Sequence, residues 1–284
     1  MTGSKKVAVI EIPGHYRSKI ICRAMGKGIA TIGDEPIRFT TGNLHAVEEC
    51  DAAVFYGFVQ PLPQVMQRFK ETGRAAVHID LGYWGRLENG RYSGFHKVVV
   101  NARHPDAYFQ EKIHPDDRVK HFDIRRMPWK KHGKNIILAG MSGKHSKSEG
   151  WKPQKWETEI VSLLKQYTDR PILYRPKPGD KFASPIPGTE FIQGGAIESY
   201  FDDCWALVTH HSNAAIDAAI AGVPSFSVQG VATKIGLTNF SLIESPRYPE
   251  LYQWLADIAY CQFNIQEMLS GECWSHLRSE GLIP

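Results

Sequence analysis

Short apolar runs alternate with helical patterns along the first 100 positions of the chain. The runs have the length of buried strands, and they lie at Val7–Ile12, Ile37–Phe39, Ala52–Tyr56, Ala75–Ile79 and Val98–Val100. Apolar residues at helical spacing stand between them, at Lys19–Met25 and Pro61–Lys70. Strands and helices that alternate in this way are typical of a doubly wound α/β sheet.

The alternation starts again after a basic segment broken by proline and glycine, Met127–Gly133, which has the composition of an interdomain linker. The strands predicted beyond it are Ile136–Ala139, Ile172–Tyr174, Trp205–Val208 and Ser225–Val228, and the helices are Trp156–Tyr167, Ala214–Ala221, Pro249–Tyr260, Ile265–Leu269 and Trp274–Leu277. We therefore predict two Rossmann-like domains, at 1–130 and 131–261. Residues 262–284 are expected to pack back on the first domain.

The segment Trp205–Gly230 carries the clearest local signal. A buried strand leads into the polar turn Thr209–Asn213, and a helix of small residues follows until Gly222 and Pro224 end it. In open α/β sheets, ligands bind at the carboxyl ends of strands. Asp217 lies one turn into this helix. It is either a solvated helix position or a carboxylate that accepts hydrogen bonds from ribose hydroxyls.

Asp217, Gly222 and Pro224 resemble the donor-binding segment of GT-B glycosyltransferases, in which an acidic residue precedes a Gly-x-Pro. The resemblance implies two Rossmann-like domains facing a central cleft. It also implies a nucleotide-sugar co-substrate such as a UDP-sugar, no further cofactor, Asp217 on the ribose and metal-independent transfer. Most members have Glu where this chain has Asp. Sugar-nucleotide 2-epimerases of the same fold share the motif.

Three loops after strands of the second domain are candidates for donor binding. The first contains Ser142, Gly143 and Lys144. It is not a Walker P-loop because His145 follows Lys144. It either cradles a diphosphate through backbone N–H groups or is a mobile surface loop.

The other two donor loops carry cations and imidazoles. Prolines around Arg175 and Lys177 hold the backbone extended, so both side chains are expected to point the same way, towards a diphosphate or towards solvent. The third loop is the turn formed by His210, His211, Ser212 and Asn213. We predict no metal there, because consecutive residues rarely aim at one ion and no cysteine or carboxylate is spaced to help.

Transfer to a hydroxyl group needs a base, and Asp80 at the end of a first-domain strand is the best candidate. The alternative is that Asp80 only caps a turn. His15, in the first strand–helix loop, is the second candidate base. The residues expected to contact the acceptor in this domain are Tyr83, Trp84, Arg86, Arg103 and His104, with Tyr83 and Trp84 offering flat apolar faces.

The formal net charge of +4 is too small to identify a nucleic-acid partner, but the charge is unevenly distributed. The stretch from Arg125 to Lys155 has nine Lys and Arg residues, among them Arg126, Lys130 and Lys131, and a single acid. It also contains Trp129 and Trp151. The stretch is either a band that follows a phosphate backbone or a solvated linker with donor ligands.

Layout and basic loops together resemble the small bacteriophage DNA glucosyltransferases. That resemblance implies hydroxymethylated bases of double-stranded DNA as the acceptor. Three alternatives remain open: a glycan or small-molecule acceptor, a sugar-nucleotide epimerase, and a non-catalytic nucleic-acid-binding protein.

Five cysteines without pairing or metal spacing indicate free thiols in a reducing compartment. No apolar stretch approaches the ~20 residues of a membrane span. We therefore expect a cytoplasmic protein (in the host cytoplasm, if phage-encoded) with no membrane partner.

Overall fold

The computed structural model describes residues 3–86, 93–105 and 113–284, and these form two compact units. The first unit comprises Met1–Phe122 and Leu255–Pro284, and the second comprises Asp123–Trp254. Each unit is built on one sheet with parallel strand pairs and helices between the strands. This arrangement confirms the predicted α/β class.

The first unit has a six-stranded mixed sheet. Its strands are β1 (Lys6–Glu11), β2 (Glu35–Thr40), β3 (Ala52–Tyr56), β4 (Ala75–Leu81), β5 (His96–Val100) and β11 (Gln262–Phe263). The strand order is β11-β5-β4-β3-β1-β2. β1 pairs in parallel with β2 and β3, and β3 with β4, whereas β5 is antiparallel to both β4 and β11. The apolar runs predicted β1 to β5, whereas β11, which has two residues, was not predicted.

The helices of this unit are α1 (Tyr16–Thr31), α2 (Leu62–Glu71), α3 (Asp117–His121), α8 (Ile265–Ser270) and α9 (Glu272–Ser279), with α7 (Tyr252–Tyr260) ending in it. α1 is much longer than the predicted Lys19–Met25, because it packs on α8 and α9 beyond Met25. A side chain at Gly28 would collide with the backbone of Met268, so this close approach requires glycine. Asp34 accepts hydrogen bonds from Trp274 and Arg278, which ties α9 to the loop before β2.

The second unit has a five-stranded sheet in which every neighbouring pair is parallel. Its strands are β6 (Asn135–Ala139), β7 (Ile172–Arg175), β8 (Glu190–Phe191), β9 (Cys204–Thr209) and β10 (Ser225–Ser227), in the order β10-β9-β6-β7-β8. The helices are α4 (Gly143–Ser148), α5 (Lys155–Leu164) and α6 (Ala214–Ile220). Buried residues of β6 and β9 alternate between two core layers, one shared with β7 and α5 and the other shared with α6.

The basic segment Met127–Gly133 is bound along the second unit. Met127 N–H donates to Ile220 O, Lys130 N–H donates to Gly222 O, and the Trp129 indole donates to Pro249 O. Gly222 adopts a positive φ of 76°, and a Cβ there would collide with Pro128 O. Gly222 therefore ends α6 and also leaves room for the backbone of the basic segment to pack against it.

All five cysteines are free and buried. Burial raises the pKa of the Cys22 and Cys204 thiols to about 12, which keeps both protonated at neutral pH. Within the described ranges, no helix combines the length and the apolar character needed to cross a bilayer.

Candidate functional site

The carboxyl ends of β9, β6 and β7 meet at one edge of the second sheet, because the three strands are adjacent and parallel. The Thr209 hydroxyl, at the end of β9, donates to Ala139 O at the end of β6 over 3.0 Å. It also accepts from Ser212 N–H at 3.2 Å. One side chain thus fixes the His210–Asn213 turn beside the loop that follows β6.

The loop after β6 is shorter than predicted, because α4 begins at Gly143. Ser142 caps this helix by accepting from His145 N–H. Met141 N–H donates to Glu157 Oε1 at 2.7 Å, and Gly143 N–H donates to Asp180 Oδ2 at 2.8 Å. Two amides at the predicted diphosphate cradle are therefore held by carboxylates. A phosphate at Gly143 would have to displace Asp180. Lys144 follows in the first turn of α4.

Arg175 and Lys177 do not share one environment, in contrast to the expectation that both point the same way. The Arg175 side chain is buried and donates to Gly195 O at 2.6 Å. Lys177 is exposed. Arg175 therefore holds the loop before the 3-10 turn at Ile197–Tyr200, and Lys177 is the accessible cation of the two.

The His210–Asn213 turn lies next to His145 of α4. His210 is buried, whereas His211, Ser212 and Asn213 are half-buried. The ring centroids of His145 and His211 are 4.0 Å apart, and the Nδ1 atoms of His210 and His211 are 2.9 Å apart. The sequence singled out the two consecutive histidines but not His145, whose position depends on β6 and β9 being neighbours.

Asp217 lies in the first turn of α6 and is half-buried. Its neighbours Ala215, Ile216, Ala218 and Ala219 are fully buried against the sheet. The helix therefore presents Asp217 on its less buried side, beyond the His210–Asn213 turn. Its predicted ribose contact stays a prediction.

In the first unit, Asp80 lies one residue before the end of β4, and it pairs with Lys97 of β5 in the antiparallel register. Leu81 N–H donates to Asp80 Oδ1 at 2.8 Å, a contact between adjacent residues of β4. Burial lowers the pKa of Lys97, and the Asp80 carboxylate partly opposes that shift. An acid and a desolvated amine thus stand side by side at this edge.

Two buried histidines adjoin this pair. Burial lowers the pKa of His78 to about 3, with a further contribution from the charge of Lys97. Burial likewise lowers the pKa of His96 to about 4. Both imidazoles are consequently neutral near pH 7. His96 and Lys97 escaped the sequence analysis because they lie at the start of a strand.

Tyr83, Trp84 and Arg86, which were predicted to contact the acceptor, mainly make contacts within the first unit. Tyr83 is buried, and its N–H donates to Gln262 Oε1 at 2.8 Å. Trp84 is half-buried with its ring 5.7 Å from that of Phe122. Arg86 donates to the carbonyls of Gly82 and Tyr83 and so closes its own loop. Tyr83 therefore offers no exposed face for a sugar, in contrast to our expectation.

His15 and Arg103 also have structural contacts. His15 Nδ1 accepts from Ser18 N–H at 3.1 Å and caps α1. Because capping uses the lone pair of a neutral imidazole, His15 cannot accept a proton there without losing the cap. The Arg103 guanidinium lies 4.7 Å from the centre of the Phe58 ring, and Arg103 O accepts from Lys97 Nζ at 2.8 Å. His104 is half-buried beside it.

Carboxylates pair with cations in the basic segment and directly before it. Arg126 contacts Glu250 at 3.2 Å, and Lys130 approaches Asp202 at 3.7 Å while donating to Phe201 O. Arg125 pairs with the nearby Asp123 at 3.1 Å. Lys131 is exposed. The local excess of positive charge is therefore smaller in the fold than in the sequence.

No protein-family model and no curated protein matches the chain significantly. Two solved structures of Thermosulfurimonas dismutans KpsC are similar to it. The β-Kdo 2,7 transferase has a TM-score of 0.55 at 12% identity, over 96% of this chain and 99% of that chain. The β-Kdo 2,4 transferase has a TM-score of 0.53 at 11% identity, over 93% and 98%. A UDP-GlcNAc 2-epimerase from Methanocaldococcus jannaschii aligns at 8% identity with a TM-score of only 0.36, over 96% and 99%.

Similarity at such low identity shows the fold alone. The two transferase structures confirm the predicted GT-B type of α/β fold. Similarity to bacteriophage DNA glucosyltransferases is not shown.

Proposed function

We propose that the chain is a glycosyltransferase that moves a sugar from a nucleotide-sugar donor to a hydroxyl acceptor. The observation that carries this proposal is the convergence of three strand-end loops at one edge of an all-parallel sheet. Asp217, the acidic residue of the Asp217–Gly222–Pro224 motif, lies in the first turn of the helix that follows one of these loops. Ligands of open α/β sheets bind at such an edge. The similarity in fold to two Kdo transferases supports the reaction class.

The donor is proposed to lie along the His210–Asn213 turn, with Asp217 on the ribose. Lys177, which is exposed, and the half-buried Ser212 hydroxyl are proposed to contact the phosphate oxygens. Arg175 already donates to Gly195 O, and Gly143 N–H donates to Asp180. A uridine nucleotide was the expectation from the sequence. Since the two transferases named above act on Kdo, a sugar acid, the donors to be tested include activated sugar acids.

For the acceptor we propose a saccharide hydroxyl in preference to DNA. A DNA acceptor would need a field of unpaired cations, whereas Arg125, Arg126 and Lys130 are each within 4 Å of a carboxylate. Asp80 is the proposed base. Lys97 lies opposite it in the register, and burial lowers the pKa of this amine.

The first experiment is a panel of nucleotide-activated sugars, each incubated with oligosaccharides, with plain duplex and with hydroxymethylated duplex, and read by mass spectrometry. Transfer to a saccharide is the expected result. Parallel reactions with a chelator test the metal-independent transfer that the GT-B resemblance implies. An isomerised donor without any acceptor product would instead identify an epimerase. Binding to duplex without turnover of any donor would identify a nucleic-acid-binding protein.

The second experiment tests the donor edge by calorimetry with the free nucleotide of the active donor. Asp217→Ala should weaken binding about tenfold or more, because a hydrogen bond to a charged group is worth roughly 1.5–3 kcal/mol. Asp203→Ala is the matched control. Asp203 belongs to the same unit but lies just before β9, at the opposite edge of the sheet, beside Lys134 at 3.7 Å. Equal affinities of the two variants would remove Asp217 from the site.

A further inference from the structure

Three imidazoles converge where β6 and β9 end. His145 enters the cluster from the first turn of α4, which Ser142 caps, and His210 and His211 enter from the turn after β9. The Thr209–Ala139 hydrogen bond joins the two strand ends, and His210 O accepts from Gln229 N–H at 2.8 Å. The backbone on both sides of the cluster is thus fixed by contacts that do not involve the rings.

The ring nitrogens have the spacing of a metal-binding group. One nitrogen from each of His145, His210 and His211 lies within 4.8 Å of the other two. Among the residues that the structure describes, these three form the one group of three or more potential ligands so close together. An ion with tetrahedral bonds of about 2.0–2.1 Å to nitrogen holds its ligand atoms about 3.3 Å apart. Side-chain rotations therefore suffice to bring the three nitrogens onto one ion.

The surroundings of the cluster suit a cation held by imidazole. Glu149 Oε1 lies 3.4 Å from His145 Nε2, as carboxylates do behind histidine ligands. The indole rings of Trp151 and Trp156 stand edge-on to His210 at 5.7 and 5.4 Å. His210 and His145 are both buried. The carboxylate balances charge on the ion, and the indoles restrict water on one side of it.

From this geometry we propose that His145, His210 and His211 bind one divalent transition-metal ion of the type that prefers imidazole, such as Zn²⁺ or Co²⁺. Glu149 orients His145 from outside the ligand group. Three protein ligands leave a fourth position to water or another small ligand, as in open zinc sites. This site goes beyond the proposed sugar transfer, and it holds whether or not the donor binds at the same edge.

The test is a titration of the chelator-treated, dialysed full chain with Co²⁺ and then Zn²⁺, in the absence of any nucleotide. Visible absorption of Co²⁺ reports nitrogen coordination, and calorimetry gives stoichiometry and affinity. We expect one ion per chain, and Zn²⁺ should displace Co²⁺. No Co²⁺ spectrum and no heat of Zn²⁺ binding from the folded wild type would overturn the proposal.

Variants then assign the ligands. His211→Ala removes the least buried of the three rings and should abolish the Co²⁺ spectrum while the circular dichroism is retained. His132→Ala, an exposed histidine in the same unit, is the matched control and should bind like the wild type. Glu149→Gln should weaken binding about 10–100-fold, as loss of a carboxylate behind a histidine ligand does.

Two results would contradict the assignment. If His211→Ala bound Co²⁺ with wild-type affinity, the ion would lie elsewhere. If His132→Ala lost binding to the same extent as His211→Ala, the signal would come from surface imidazoles. Because the titration contains no nucleotide, its failure would not bear on the donor site, and a failed donor assay would not bear on the metal.

Discussion

The two sheets differ in strand direction, and this difference decides which residues lie at the edge of each sheet that we propose as a site. In the second unit all five strands are parallel, so each loop after β6, β7 or β9 adds residues to one edge. In the first unit β5 runs antiparallel to β4. The edge at Asp80 is therefore completed by residues from the beginning of β5, His96 and Lys97. A search of the sequence for polar residues that follow strands therefore identifies the residues of the second edge. At the first edge it identifies Asp80 but misses His96 and Lys97.

The two edges also differ in how their charged groups are balanced. At the first edge, burial keeps His78 and His96 neutral and lowers the pKa of Lys97, while Asp80 supplies the negative charge. At the second edge, the carboxylates Glu157 and Asp180 accept from backbone amides of the loop after β6. The first edge thus combines one carboxylate with neutral imidazoles and a desolvated amine. The second has the Asp180 carboxyl group at the Gly143 amide, where a phosphate was expected.

The largest expected effect tests the first edge. Asp80→Asn keeps the side-chain shape and removes its basicity, so turnover should fall by about 10²–10⁴ with nearly unchanged nucleotide affinity. Asp51→Asn is the matched control, because Asp51 stands before β3 at the other end of the same sheet and accepts from Lys6 N–H at 2.8 Å. Both rates are measured with the donor identified by the panel.

His15→Asn separates the two candidate bases. Asparagine can replace the imidazole as the N-cap of α1, so a rate close to wild type is expected if His15 only caps the helix. If Asp80→Asn kept more than about a tenth of the wild-type rate while His15→Asn lost activity, the base would be His15 and the capping hydrogen bond would open during the reaction.

The next largest expected effect is a decrease in the stability of the first unit at acidic pH. His78 and His96 have folded-state pKa values of about 3 and about 4, below the value of 6.5 expected when unfolded. Between these limits the unfolded chain binds protons that the folded unit excludes. The free energy of unfolding should therefore fall as pH decreases from 6.5, by about 1.4 kcal/mol per pH unit for each histidine.

Hydrogen exchange of β3 and β4 amides at pH 6.5 and pH 5 measures this slope within the first unit. His78→Leu has no titrating ring and should show roughly half of the wild-type loss. His45→Gln, at an exposed histidine of the same unit, should keep the full loss. An unchanged slope in His78→Leu would mean that His78 is protonated in the folded unit.

The sequence predicts most strands, but it does not predict which strands are neighbours, and each edge is formed by neighbouring strands. The apolar runs place nine strands of the two sheets, because burial on both faces needs continuous hydrophobic residues. They miss β8 and β11, which are two residues each. They cannot place His145 beside His211, since that proximity depends on β6 and β9 being neighbours. Lys97 is hidden for a different reason: only the antiparallel register sets it opposite Asp80.

Tertiary pairing also changes how the charges of the stretch from Arg125 to Lys155 should be counted. Nine cations and one acid stand between Arg125 and Lys155 in the sequence. In the fold, Glu250 and Asp202 reach Arg126 and Lys130 from distant positions. Charge counted along the chain therefore overstates the field that a polyanion would meet.

The smallest expected effect concerns this segment. Replacing Arg125, Arg126, Lys130 and Lys131 by Gln breaks exposed ion pairs worth about 0–1 kcal/mol each, so the second unit should lose little stability.

Each phosphate contact adds about −0.9 to the slope of log K against log salt for a duplex. Because Arg125, Arg126 and Lys130 are each paired with a carboxylate, we expect the fourfold variant and the wild type to show similar, shallow slopes in anisotropy titrations with labelled duplex. Replacing the exposed first-unit residues Lys19, Arg23, Lys27 and Lys70 by Gln controls for the change in net charge. The contrary result would be a steep wild-type slope that flattens by several units in the fourfold variant but not in the control. It would show that these four cations bind DNA, and DNA would then be the preferred acceptor.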